Sequence, residues 1–286
     1  MKQKKDKFKD YIKTYLINHN EEFKYLLNLK GIKRDPKSYK YMTNKIYSLR
    51  FILKPGYVDQ ILCDQFVEAY KNEDFETCLE ALVYVYKYYY FEIYMSYSDF
   101  PNKLYRKFLI PFRNTIGDLI NTMIVLIRAS GNHPSNITAG GVEYITEAEK
   151  VDSLLEFKDS VDFASNHSAY ELLDKKIGRF YYDYADGYEF NLTFGKSIII
   201  DDNLCNLNMI LSECYGYGIF EDNRLVLNEF LRDPKAYNNY ERKLVKDMIP
   251  FDFFEPKTDE LIFKFENYYK NISELFSYIE NKEDEN

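Results

Sequence analysis

One arginine and one histidine stand at a spacing that could support proton transfer on a phosphate. Arg128 and His133 are separated by four residues at the end of a predicted helix. A histidine can move a proton near neutral pH, and an arginine can stabilise a charged transition state. Gly131 and Pro134 break the helix here, so a structural interpretation stays open. In this structural interpretation, the partial negative charge at the helix C-terminus stabilises the Arg128 cation, and His133 is a loop residue.

The Arg128–His133 spacing resembles the catalytic motif of HEPN ribonucleases, in which paired helices bring both residues to the scissile phosphate. Arg113-Asn114 followed by Asp118 resembles a second copy with an aspartate in place of the histidine. The resemblance implies a ribonuclease of an abortive-infection or defence system that builds its site across a homodimer. We keep this as the alternative function and favour no catalytic residue.

Two adjacent carboxylates, Asp201 and Asp202, follow an apolar run at 198–200. Carboxylates at the end of a strand can hold Mg²⁺. The favoured interpretation is an N-cap for a helix at 204–215, because the other groups of a nuclease site are only loosely placed. Gly216-Tyr217-Gly218 lacks the strand–turn–helix context of a dinucleotide site and is interpreted as a loop.

The cysteines and histidines give no metal-binding pattern. Zinc sites need closely spaced ligands, whereas this chain has three histidines and no C-x-x-C pair among its four cysteines, Cys63, Cys78, Cys205 and Cys214. We predict no metal and no cofactor, and we interpret the cysteines as buried apolar residues or free thiols of a reducing compartment.

The Lys-rich start has no signal-peptide core, and no apolar run reaches about 18 residues. We therefore expect a cytoplasmic protein that does not enter a membrane.

Composition favours a protein partner over a nucleic acid. The chain has 38 Lys and Arg against 46 Asp and Glu, a formal net charge of −8, and 29 Tyr and 22 Phe without Trp. Nucleic-acid binders usually carry a basic footprint, so nucleic acid is an unlikely partner. An acidic surface speeds association with a basic protein. The candidate binding residues are Tyr181, Tyr182, Tyr184, Tyr188, Asp201 and Asp202.

Hydrophobic periodicity predicts mostly helices. The clearest has six apolar residues on one stripe between Ile116 and Ile127. Thr146 and Glu149 form a capping-box pattern that opens another helix. The remaining predicted helices cover 7–29, 37–53, a segment around 58–66, 75–94, a short piece between Pro101 and Pro111, 168–182, 204–215, 223–232, 235–248 and 258–281.

In one segment the spacing of apolar residues changes from a helical period to alternation. Tyr188, Phe190, Leu192 and Phe194 alternate with polar residues, and Gly195-Lys196 can turn the chain before 197–200. This pattern predicts a β-hairpin. The expected fold is therefore mainly α: a multi-helix bundle in two helical halves with one small β-hairpin near 188–200. The predicted regions are 1–130 and 142–286, joined by a linker loop at 131–141.

The order of segments resembles the all-helical immunity proteins that neutralise PoNe-type DNase toxins. The opening at 5–12, the Pro55-Gly56-Tyr57 turn and the late segment with Tyr181-Tyr182, Gly187-Tyr188, Lys196 and Asp201-Asp202 carry the resemblance. The family's Trp is absent, and about 80 residues follow the late segment that the family pattern does not explain. The resemblance implies a helical fold and stoichiometric neutralisation of a toxin.

These observations favour a non-enzymatic helical protein that captures a basic protein partner. The most specific form of this prediction is a toxin-immunity, defence or counter-defence protein. Such capture needs aromatic anchors surrounded by charged residues and no catalytic group.

Overall fold

The computed structural model describes residues 2–19, 36–146 and 161–234, in which helices combine with a large sheet. The helices are α1 (Lys2–Asn18), α2 (Pro36–Leu49), α3 (Gln60–Lys71), α4 (Phe75–Tyr88), α5 (Ile116–Leu126) and α6 (Arg224–Arg232). The strands are β1 (Tyr89–Tyr97), β2 (Tyr105–Pro111), β3 (Ser135–Ala139), β4 (Val142–Ile145), β5 (Val161–Phe163), β6 (Ile177–Tyr182), β7 (Tyr188–Ile199) and β8 (Ile210–Tyr215). Short 3₁₀ turns lie at Arg50–Ile52, Ala164–Asn166 and Ala169–Asp174.

All eight strands belong to one sheet, in the order β5-β4-β3-β6-β7-β1-β2-β8. Every neighbouring pair is antiparallel except β4 and β5, which are parallel. The central strand β1 pairs with β2 on one side and with β7, about 100 residues further along the chain, on the other. The predicted mainly helical bundle in two halves is therefore wrong, because one sheet is assembled from strands of both halves.

The inner face of the sheet forms the core together with α5. Along β1, Phe91, Ile93, Met95 and Tyr97 are buried, and the residues between them point to the opposite face. Helix α5 begins with a capping box, in which the Thr115 side chain accepts from the Asp118 amide and the Asp118 carboxylate accepts from the Thr115 amide. Most of the α5 side chains are buried, so this helix is held on all sides.

An aromatic cluster lies among the N-terminal helices and is continuous with the core under the sheet. Helix α1 packs against α2 and α4. The Phe8 ring stacks on Phe75 with centroids 5.2 Å apart and meets Tyr47 and Tyr70 edge-on at 5.9 and 5.7 Å. Such offset and edge-on pairs add to the stabilisation that burial provides. None of the helices in the described ranges combines the length and apolarity that crossing a bilayer requires.

Four predicted helices are wholly or partly strands. The predicted helix at 75–94 ends at Tyr88, where β1 begins. The pieces at 101–111, 168–182 and 204–215 contain β2, β6 and β8. The apolar residues in these segments fit both the helical period and the alternation of a strand. Their β-branched and aromatic side chains favour strands. Pairing with distant strands then decides the conformation.

The predicted β-hairpin near 188–200 is also wrong, because β7 runs unbroken through Gly195 and Lys196. These two residues face Glu92 alone on β1: Ile93 pairs with Phe194, and Phe91 pairs with Ser197. The local irregularity that the sequence showed is therefore a β-bulge and not a turn.

Helices match the prediction where the signal was local. The described part of 7–29 lies in α1, and the predictions at 37–53, 58–66, 116–127 and 223–232 correspond to α2 with its 3₁₀ turn, α3, α5 and α6. The predicted linker 131–141 contains β3. The helices predicted after Thr146, at 235–248 and at 258–281 lie outside the described residues.

Candidate functional site

The outer face of the sheet carries tyrosines and charged residues. Directly opposite residues of an antiparallel pair point to the same side, so the register defines this open face. Its tyrosines are Tyr94, Tyr105, Tyr181 and Tyr215, and its charged residues include Glu92, Lys107, Arg179, Glu189 and Glu213. These side chains are partly or fully exposed, unlike their inward neighbours.

Three of these tyrosines form a row across β1, β2 and β8, which we call the tyrosine row: Tyr94, Tyr105 and Tyr215. The Tyr94 and Tyr105 centroids lie 5.6 Å apart, and Tyr105 stacks on Tyr215 at 6.0 Å with planes 17° apart. The Tyr105 hydroxyl donates to Glu213 Oε1 at 2.8 Å. This bond to the carboxylate raises the pKa of Tyr105. The row is thus an ordered aromatic surface whose central hydroxyl stays protonated.

Charged pairs flank the tyrosine row. Lys107 Nζ lies 3.0 Å from Glu92 Oε2, and Arg179 lies 3.1 Å from Glu189 Oε1. On the same face, Glu213 and Glu143 form no ion pair among the described residues; Glu213 accepts from Tyr105, and Glu143 accepts from Asn136 at 2.5 Å. The described part of this face therefore has an excess of negative charge.

The four tyrosines of the predicted binding segment fall on different sides of the sheet. Tyr181 is half-buried on the open face, beside Arg179. Tyr184 is 48% exposed, and its hydroxyl accepts from Asn136 at 2.6 Å. Tyr182 and Tyr188 are fully buried, and the Tyr188 hydroxyl donates to the Phe220 carbonyl. The strand alternation brings only Tyr181 to the open face.

The predicted acidic pair lies at the end of the sheet, in the loop after β7. Both Asp201 and Asp202 are exposed. Asp202 accepts from the Tyr88 hydroxyl at 2.6 Å and lies 3.5 Å from Lys87 Nζ. The Tyr88 bond, with Lys87, lowers the pKa of Asp202. No helix begins after this pair, since 204–209 is a turn that leads into β8.

Arg128 and His133 have different surroundings. Arg128 has a positive φ of 61° just after α5, and its guanidinium lies over the Tyr217 ring, 3.6 Å from the centroid. His133 lies in the loop before β3, close to the carboxylates of Asp183, Glu221 and Asp222. The surroundings of His133 would repel a phosphate group.

A cleft of about 790 Å³ lies between α2 and the β5 end of the sheet. Its described lining includes the third histidine, His167, whose Nε2 lies 2.8 Å from Asp162 Oδ2 and whose Nδ1 lies 2.9 Å from Glu171 Oε2. Burial opposes protonation of this imidazole, but the bonds to Glu171 and Asp162 outweigh it and raise the pKa of His167. Lys45 also lines the cleft, and burial lowers its pKa.

Sequence reasoning missed Tyr94, Tyr105 and Tyr215. Tyr94 was placed at the end of a predicted helix and Tyr105 in another. The useful signal was the alternation along 105–111, where Arg106, Phe108 and Ile110 are buried and the residues between them are not. That alternation becomes a site only when β8 places Tyr215 next to Tyr105.

Comparison with known proteins gives no family for this chain. No protein-family model matches it, and no curated protein does. Among solved structures, the chain is similar to a protein of unknown function from Methanosarcina mazei Go1, with 13% identity and a TM-score of 0.46 over 57% of this chain and 93% of that one.

Proposed function

We propose that this protein captures a basic protein partner through the open face of its sheet. The observation that carries the proposal is the tyrosine row, in which Tyr94, Tyr105 and Tyr215 present a continuous aromatic surface with ordered rings. Tyrosine combines a large apolar ring with a hydrogen-bonding hydroxyl, and it is over-represented among residues that dominate binding energy.

Charge favours a basic partner. Ion pairs neutralise Glu92 and Glu189 within the face. Glu213 and Glu143 form no ion pair among the described residues, although Lys107 lies opposite Glu213 and pairs with Glu92. The whole chain carries a net charge of −8. Complementary charge increases association rates and discriminates against acidic partners.

The sharpest form of the proposal is neutralisation of a basic toxin, in defence or counter-defence. Capture by stoichiometric binding needs no catalytic group, which agrees with the structural roles of the open-face side chains. The alternative, a ribonuclease that uses Arg128 and His133, is less well supported by the geometry. Arg128 packs on Tyr217, and His133 is surrounded by carboxylates instead of by cations that would bind a phosphate.

A pull-down with matched variants tests the proposal. The tagged full chain is compared with Tyr105→Ala/Tyr215→Ala and with the control Tyr41→Ala, whose side chain is 59% exposed on α2, outside the open face. Lysates of the native cells are treated with nuclease, and complexes are weighed by native mass spectrometry. We expect a stoichiometric basic protein with the wild type and the control and its loss with the double variant. Retention of the partner by the double variant, or a wild type that recovers no basic protein, would contradict the proposal.

A further inference from the structure

Three loops converge around His133 at one end of the sheet. They are the loop that follows α5, the turn between β6 and β7, and the segment that precedes α6. The Asp183 amide donates to the Pro134 carbonyl at 2.9 Å, and the Ser130 amide donates to both oxygens of Glu221 at 3.1 Å. These backbone bonds fix the positions of the side chains that the loops bring together.

The side chains that meet there are donors for a metal ion. One ligand atom each from His133, Asp183 and Asp222 can be chosen so that all lie within 4.8 Å of one another. His133 Nδ1 lies 3.5 Å from Asp183 Oδ2, and His133 Nε2 lies 3.5 Å from Asp222 Oδ1. These separations are long for hydrogen bonds. The two distances end on different ring nitrogens, so only one of them can be an edge of a single metal site. Ligand atoms about 2.1 Å from a tetrahedral metal ion are themselves about 3.4 Å apart.

Asp183 is the strongest indication that a cation belongs in the cluster. Its side chain is only 4% exposed. Its Oδ1 accepts from the amides of Ala185 and Asp186 at 3.1 and 3.3 Å, which directs Oδ2 towards His133. Within the described residues, His133 at 3.5 Å is the only partner of Oδ2. A buried carboxylate is costly unless it is paired or coordinates a metal.

The second carboxylate–histidine cluster of the chain shows the contrast. His167 bonds directly to Asp162 and Glu171 at 2.8 and 2.9 Å, so its carboxylates are satisfied by the imidazole itself. Around His133 the same types of residue stay farther apart. The two clusters therefore have the same chemistry but different spacing, and only the carboxylates at His133 lie beyond a short bond to their imidazole.

Glu221 adds a third carboxylate beside the donors. Its Oε1 lies 3.8 Å from His133 Nε2 and accepts from the Ser130 hydroxyl at 2.7 Å and from the Tyr182 hydroxyl. Three carboxylates surround one imidazole, so the cluster is negative even when His133 is protonated. Hydrogen-bonded groups of this kind orient ligands and tune metal affinity.

We propose that His133, Asp183 and Asp222 bind a divalent transition-metal ion, with Glu221 beside them. Imidazole suits first-row transition metals, and carboxylates suit Mn²⁺ and harder ions, so the mixed set fits Mn²⁺ or Zn²⁺ better than Ca²⁺. The spacing of these residues in the chain gives no hint of the site, because each donor comes from a different loop. The site is independent of the open face.

Titration of the metal-stripped full chain with Mn²⁺ tests the site, because cysteine thiolates compete less for Mn²⁺ than for Zn²⁺. Calorimetry and the loss of the free Mn²⁺ resonance signal give stoichiometry and affinity. We expect one Mn²⁺ per chain and binding at least about tenfold weaker in His133→Ala, Asp183→Asn and Asp222→Asn. His167→Ala is the matched control and should bind Mn²⁺ as the wild type does.

The Asp222→Asn variant separates loss of metal binding from loss of folding. The Asp222 side chain is 71% exposed, so circular dichroism should show an unchanged fold. The proposal is overturned if the wild type binds neither Mn²⁺ nor Zn²⁺ saturably, or if the folded Asp222→Asn and His133→Ala variants keep wild-type affinity. A loss of affinity in His167→Ala alone would place the ion in the cleft and overturn it equally.

Discussion

Arg106 Nε lies 2.9 Å from the carbonyl oxygen of Leu126, the last residue of α5. The other guanidinium nitrogens donate to the carbonyls of Tyr105, Tyr215 and Tyr217, each at 2.8 Å. Burial, with a smaller effect of nearby Arg128, lowers the pKa of Arg106 to about 10, and the group still carries its charge at pH 7. The helix C-terminus and these carbonyls stabilise that charge. One buried side chain thus joins α5 to β2 and β8, two of the three strands of the tyrosine row.

Replacement of Arg106 should therefore strongly destabilise the fold. In Arg106→Leu, four carbonyl groups lose their donor inside the core, and we expect the free energy of unfolding to fall by about 3–5 kcal/mol. Urea unfolding followed by circular dichroism measures the change. Arg179→Ala, on the exposed face, is the control and should leave the midpoint almost unchanged. Equal effects of the two variants would show that Arg106 does not hold the sheet to α5.

His167 should make stability depend on pH. The pKa of His167 is raised in the folded state. Its contribution to the free energy of unfolding is therefore complete below the pKa of an unfolded histidine, about 6.5, and is lost as pH rises through the folded-state pKa. The bond from His167 also lowers the pKa of Asp162. The stability that Asp162 contributes is therefore lost as pH falls below about 3.9, the pKa of an unfolded aspartate. Between these limits, His167→Gln should cost about 1 kcal/mol at this partly exposed site.

The measurement is urea unfolding of the wild type and His167→Gln from pH 4 to pH 9. We expect the difference between the two proteins to be largest near pH 5–6 and to shrink towards pH 9, as the unfolded histidine and then the folded one lose their protons. A difference that stays constant over this range would mean that the imidazole contributes by packing alone.

The end of β8 depends on a glycine. Gly216 has a φ of 77°, and a Cβ added there would lie 2.5 Å from the Lys103 carbonyl oxygen. Gly141 has a similar φ of 81°, but nothing lies within 4 Å of its Cβ position. Gly141→Ala should cost about 1–2 kcal/mol from backbone conformation alone, and Gly216→Ala about 1–3 kcal/mol more from the clash. Thermal unfolding of both variants tests this order, and equal costs would contradict the close approach.

Helices were predictable because their signals are local. The stripe that begins at Ile116 has helical spacing, and the capping pair Thr115 and Asp118 is three residues apart in the chain. Both features can be found without knowledge of the partner elements. The same holds for the periodic segments that form α3 and α6.

Most of the sheet was not predictable in this way. β8 pairs with β2, about 100 residues earlier in the chain, and its Leu211 also fits a helical spacing with Leu204 and Leu207. Leu204 and Leu207 are each 39% exposed, so the predicted helical stripe is not a buried one. Non-local pairing overrides local preference in such segments.

The residues of the open face were predictable only in part. A tyrosine-rich, acidic surface was expected, and Tyr181 does lie on the open face. Its neighbour Tyr182 points into the core, because successive residues of a strand alternate between faces. The tyrosine row itself consists of residues from three strands, and it becomes visible only when their register is known.

Site-specific photo-crosslinking tests the central proposal most directly. A benzophenone amino acid is placed at Asn191, an exposed position of β7 on the open face, and in a second protein at Ile61, which is 73% exposed on α3. After irradiation in the native cells, crosslinked species are identified by mass spectrometry. We predict that Asn191 crosslinks one basic protein in a one-to-one complex, that the Tyr105→Ala/Tyr215→Ala background abolishes this crosslink, and that Ile61 does not form it. A basic partner crosslinked from Ile61 and not from Asn191, or a crosslink that persists in the double variant, would contradict capture by the open face.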